Sequence, residues 1–178
     1  MWDGKAVELK AVCLVGMSHK INKIWNHLGK LAYDDGADFF VLLGDDVKIE
    51  TPDWPARMLS HFDENPVGCV AFNDLESGKS EDDLRRFPDG FPTFSIIPRS
   101  HIDIIGRILP LEFEYASQDG DPWIFSIYQH VNRSATRKDC VLRNSRVGSL
   151  YHVVHVGGTW NDTMQWGRGL VSEYLKGK

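Results

Sequence analysis

At 178 residues, 42% hydrophobic and 25% charged, the chain is the size of one domain and can bury a core without staples. A formal charge of −5 with no long basic run excludes a nucleic-acid footprint, and no apolar run reaches membrane-spanning length, roughly 20 residues. Cys13, Cys69 and Cys140 are odd in number and lack metal-ligand spacing. Reduced, buried thiols in a cytoplasmic protein are therefore expected, and "MWDGKAVELK" carries no signal-peptide pattern.

In chain order, "VELKAVCLVG" (7–16) is the first strand candidate. A helix capped by Ser18 follows, with Ile21, Ile24, Trp25, Leu28 and Ala32 at helical spacing and Gly36 ending it. "DFFVLLG" (38–44) is an unbroken apolar run, the pattern of a strand buried on both faces. Strand, helix and strand make a βαβ unit, so these two strands are expected to be parallel.

Thr51 and Pro52 predict an N-cap and first helical residue, with Trp54, Met58, Leu59 and Phe62 as the buried stripe. "VGCVAF" (67–72) is a third strand. Residues 73–92 are polar and Gly/Pro-punctuated, which predicts a long surface loop. "TFSIIP" (93–98) is a strand, and Ser100 is placed to cap a short helix over "HIDIIG". Asp121 and Pro122 predict the start of an amphipathic helix carrying Trp123, Ile124, Ile127, Tyr128 and Val131. "CVL" (140–142) and "LYHVVHV" (150–156) are strand candidates, and a last helix covers about 161–175. The expectation is one α/β domain over 1–178.

The chemistry is most concentrated at "LLGDDVKIETP". Asp45 and Asp46 repel each other at the end of an apolar strand, where open α/β sheets bind ligands. Carboxylates suit Mg²⁺ or Mn²⁺, with substrate phosphates completing the shell, and Gly44 admits a close ligand. A plain polar turn would have the same composition. A polymerase palm would need a further acidic strand and a basic template channel, and neither is present.

The run "INKIWNHLGKLAYDDGADFFVLLGDDVKIETPDW" resembles the central part of a GT-A fold, nucleotide-sugar-dependent glycosyltransferase. There, a helix leads into an apolar strand ending in an Asp-rich "DxD" turn. "FPTFSIIPRSHIDIIGRILPLEFEYASQDGDPWIFSIYQ" resembles the acceptor-side half of the same family, particularly of its viral and algal members. Together the two stretches cover most of residues 20–130.

The resemblance implies a Rossmann-like, mostly parallel sheet flanked by helices. It also implies Mn²⁺ or Mg²⁺ on Asp45 and Asp46, with Gly44 and Asp45 beside the donor diphosphate. The family's first "DxD" aspartate aligns with Gly44. The strand and helix that hold the nucleotide base in that family precede the part matching residues 7–16, so the resemblance implies the expectation that this chain starts after that unit.

In "SQDGDPWIF", an Asp before Pro has the form of a helix cap. By the same resemblance the general base of an inverting enzyme stands here, Asp121 being the better match and Asp119 the second. The helix field would lower the basicity of Asp121, and burial near Trp123 would raise it. His155, before "VGGTW", is implied as a third metal or phosphate contact. His152, three residues earlier, would point to the opposite face of a strand.

His101 reads as structural, Trp54 and Trp123 as core, and Trp160 as a residue that could stack on a sugar. Arg85 and Arg86 stand beside Glu81, Asp82 and Asp83 in the long loop. They read as a solvated charged segment, or as a lid that clamps a diphosphate. The expected function is inverting sugar transfer from a nucleotide-diphosphate donor to an acceptor hydroxyl. A non-catalytic binding module that kept the fold, and a metal-dependent phosphoryl-transfer enzyme, are the competing classes.

Overall fold

The computed structural model describes residues 11–17, 20–44, 46–75, 81–116, 119–144 and 156–177. It is a mixed α/β structure built on one five-stranded sheet. The strands are β1 (Phe39–Val41), β2 (Val47–Ile49), β3 (Cys69–Asp74), β4 (Thr93–Pro98) and β5 (Ser134–Asn144), in the order β1-β4-β3-β5-β2. The expectation of a mostly parallel sheet is corrected, since only the β3–β5 pair is parallel and the others are antiparallel.

The continuous apolar run at 38–44 does not make a doubly buried strand. Among the described residues β1 has one strand neighbour, β4, and Phe39 is 38% exposed. Its ring packs 5.2 Å from that of Phe62 instead. The residues of the first strand candidate that are described, 11–16, form no strand, and Cys13 is exposed rather than buried. The rest of that candidate and the cap Ser18 lie outside the described residues, so the parallel βαβ pairing is not seen.

Seven helices are described: α1 (Ile21–Asp34), α2 (Trp54–Leu59), α3 (His61–Glu64), α4 (Glu81–Arg86), α5 (Arg99–Ile105), α6 (Gly120–Gln129) and α7 (Trp160–Lys176). Gly36 terminates α1 as its position predicted. At φ 88° it turns the chain so that its own N–H reaches Tyr33 O and that of Ala37 reaches Ala32 O. Thr51 is not the cap of α2, which is Asp53. Its hydroxyl donates to Asp139 O and accepts from Val141 N, tying the chain to β5. Ser100 likewise caps nothing; Pro98 precedes α5, and the Ser100 hydroxyl donates to Pro66 O. The predicted loop at 73–92 contains the end of β3 and all of α4.

Strand alternation splits the core between the two sheet faces. Cys69, Ala71 and Ile97 meet Trp123, Ile124, Ile127 and Tyr128 on the side covered by α5, α6 and α7. Val70, Phe72, Phe94 and Ile96 meet Met58 and Phe62 on the other. On the first side His101 is fully buried, its Nδ1 accepting from Tyr128 OH and its Nε2–H donating to Ile108 O, both at 2.9 Å. Burial pushes its pKa down to about 4. It is structural, as read from the sequence.

Candidate functional site

The carboxyl end of β1 and the start of β4 meet at one edge of the sheet. Leu42 N donates to Ser95 O, and Gly44 stands near the Phe94 ring. Between β3 and β4 the register shifts: Ala71 pairs with Ser95 and Phe72 with Thr93, so Phe94 is the extra residue of a β-bulge. Its φ is +54°, a left-handed conformation that a bulky residue rarely adopts and that tends to mark functional sites.

The bulge turns the Ser95 N–H out of the strand ladder and toward α6. There it donates to Asp121 Oδ1 at 3.2 Å. Asp121 as a residue reaches solvent in part, but its carboxyl is enclosed between the α6 N-terminus and the sheet, beside the fully buried Trp123. Desolvation dominates over the backbone hydrogen bonds from Ser95 and Phe94 that favour the charged form. The pKa is pushed up to about 7. The competition between helix field and burial is thus decided by burial.

Asp121 is not the helix cap. α6 begins at Gly120, and the cap position belongs to Asp119, which adopts φ 72°, a conformation Asp tolerates better than most residues. Asp119 Oδ2 accepts from Val156 N at 2.8 Å, while Tyr115 OH donates to Val156 O. Asp119 therefore anchors the segment leading into α7, which argues against a role as base. Two acids two residues apart have separate work.

Asp46 is exposed in the turn between β1 and β2. A Cβ placed on Gly44 would stand 2.7 Å from Asp46 Oδ1 and 3.4 Å from Phe94 Cε1, so the exposed Asp46 side chain would have to swing aside to admit one. Gly44 and Asp46 thus stand beside the Phe94 ring, which packs on the Met58 side of the sheet, while Asp121 meets the backbone of the same bulge from the α6 side. Asp45, His152 and His155 lie outside the described residues.

Among the described residues no three His, Cys, Asp or Glu side chains converge as a metal cage. One exposed carboxylate is nevertheless enough for a divalent cation that arrives with phosphates, because Mg²⁺ typically takes one or two carboxylates and fills its shell with substrate oxygens and water. Asp46 fits that minimal role.

Trp54 and Trp123 are packing residues, Trp54 with its ring 5.4 Å from that of Phe72 and Trp123 wholly buried. Trp160 lies nearly parallel to the Phe113 ring at 6.1 Å. Arg85 is ion-paired with Asp82 within α4. The bulge at Phe94 was missed because "TFSIIP" has the composition of a plain strand, and nothing in a phenylalanine announces a positive φ. Compared with known protein families, curated proteins and solved structures, the chain matches no family model, no protein and no structure. No described helix is long and apolar enough to cross a membrane.

Proposed function

We propose that the bulge at Phe94 is the centre of a GT-A-like glycosyltransferase acting on a nucleotide-diphosphate sugar with inversion. The observation that carries the reading is the Asp121 carboxyl, enclosed against the backbone of the bulge with a pKa near 7; Asp46 stands beside the ring of the bulge residue. A general base is most effective with its pKa close to the working pH.

In the proposed step Asp121 takes the proton of an acceptor hydroxyl as that oxygen forms its bond to the anomeric carbon. The bond from that carbon to the diphosphate breaks, and its electron pair leaves with the diphosphate. A cation held at Asp46, with Asp45 adjacent in sequence, would supply charge neutralisation to the leaving group. Ser95 N–H holds the carboxylate in direction, and Gly44 keeps the approach open.

The test is calorimetry with UDP-, GDP- and TDP-sugars, with and without Mn²⁺. One donor is expected to bind only when Mn²⁺ is present, and Asp46→Asn to abolish that binding. Asp121→Asn is expected to bind donor normally while transfer falls by roughly 10² or more. In the wild type, kcat should rise as Asp121 loses its proton and level off above about pH 7. An Asp121→Asn protein that transfers sugar near the wild-type rate removes the base. Donor binding indifferent to Mn²⁺, or absent for all three sugars, removes the reading.

A further inference from the structure

α4, α6 and α7 enclose a cleft of about 300 Å³, whose walls include Arg86, Ser126, Gln129, Trp160, Asn161 and Arg168. Two of its lining side chains are guanidinium groups and none is a carboxylate. Elsewhere Arg57, Arg85, Arg137 and Arg143 each hold an acidic partner. Arg86 does not. Its guanidinium lies over the rings of Phe87, at 5.3 Å, and Trp160, at 5.8 Å, so aromatic faces hold it and its N–H edges stay open. Arg168 donates through Nε to Ser126 O at 3.4 Å, and its terminal nitrogens have no carboxylate partner among the described residues.

Two guanidinium side chains from different helices line one cleft, and no carboxylate lines it among the described residues. The planar guanidinium fork matches the two oxygens of a phosphate or carboxylate. The amides of Gln129 and Asn161 add neutral donors, and Met164 and Phe87 give an apolar wall. We infer that this cleft binds the phosphate or carboxylate group of a small molecule, gripped jointly by Arg86 and Arg168. Neither Gly44, Asp46 nor Asp121 lines it, so the site stands independently of the proposed transfer centre.

Calorimetric titration in EDTA, with inorganic pyrophosphate in one arm and citrate in the other, tests the inference without any metal. At least one probe should bind with a Kd below ~10 mM, and the tighter arm assigns phosphate or carboxylate as the natural group. Arg86→Gln and Arg168→Gln should each weaken binding by about tenfold, and Asp46→Asn should leave it unchanged. Failure of both probes to bind would overturn the inference. So would equal binding by an Arg86→Gln, Arg168→Gln double variant, or loss of binding in Asp46→Asn. Should the double variant differ in its far-ultraviolet circular dichroism, Arg86→Gln alone decides, because Arg86 is exposed on α4.

Discussion

Helices α1 and α6 are attached to the same body by opposite means. In α6 every residue from Pro122 to Tyr128 is buried, polar ones included. In α1 only Asn22 and Gly29 are buried, and Leu28 and Leu31 of its apolar set are exposed. α1 is held largely by amides: Asn22 Nδ2 donates to Phe113 O, and Asn26 both donates to Leu109 O and accepts from Leu109 N. Trp25 and Ala32 add apolar contact at the edge of the core. A helix enclosed on all sides can desolvate a carboxylate; one held along a polar face cannot. This is why the acid with a raised pKa sits on α6.

The contrast breaks most visibly at Trp123. Its side chain is fully buried between Phe113 and the α7 residues Trp166 and Gly167, so Trp123→Ala should cost about 3–5 kcal/mol. Leu28→Ala, on the exposed stripe of α1, should stay within about 0.5 kcal/mol. Urea unfolding of the two variants checks the pair; comparable losses would mean that α1 is as enclosed as α6.

A smaller effect sharpens the electrostatic half of the comparison. The folded-state pKa of Asp121 is raised above its unfolded value, so between about pH 4 and 7 the folded protein binds more protons and stability falls as pH rises. His101 runs the other way. Its folded pKa of about 4 lies below its unfolded value, so its contribution is full above the unfolded pKa and is lost as pH falls toward 4. The two slopes oppose each other in the wild type. Asp121→Asn should therefore be more stable than wild type at pH 8, by up to about 4 kcal/mol, with the difference shrinking toward pH 4. A difference that stays constant across this range would show that Asp121 does not titrate there.

The sequence made legible what depends on local chemistry. Gly36 as a helix terminator, the strand at 93–98 and the last helix follow from neighbouring residues alone. What it concealed depends on partners far along the chain. The apolar stripe of α1 suggested an inward face, yet the buried positions are Asn22 and Gly29. Their partners, the Phe113 carbonyl for Asn22 and the Ile108 side chain for Gly29, lie some eighty to ninety residues away. Asp121 was recognisable as an acid at a helix start, but Asp-Pro chemistry pointed to a cap. Its carboxyl is enclosed by the packing of α6 on the sheet and by the backbone of the bulge at Phe94, partners far along the chain. Arg86 read either as part of a solvated charge run or as a diphosphate clamp in a lid; that it lines a cleft with Arg168 was hidden because Arg168 is 82 positions distant.

The smallest effect tests how closely α1 is fitted despite its polar attachment. In an exposed helix interior, Gly→Ala stabilises by about 0.5–1 kcal/mol, because alanine loses less backbone entropy on folding. Gly29 is interior to α1 but lies directly on Ile108, where an added Cβ would stand 2.3 Å from Cγ1 and 2.7 Å from Cδ1. Both atoms belong to a side chain that is itself fully buried, so it has little room to swing away. Overpacking of this kind costs typically about 1–3 kcal/mol, which exceeds the helix gain, and Gly29→Ala should be net destabilising by about 1 kcal/mol. The pairing of Asn26 with Leu109, the next residue, should loosen at the same time, read as faster exchange of the Leu109 amide. A Gly29→Ala protein more stable than wild type would mean that the seam between α1 and the Ile108–Leu109 segment is soft, and that α1 is held by its hydrogen bonds without close packing.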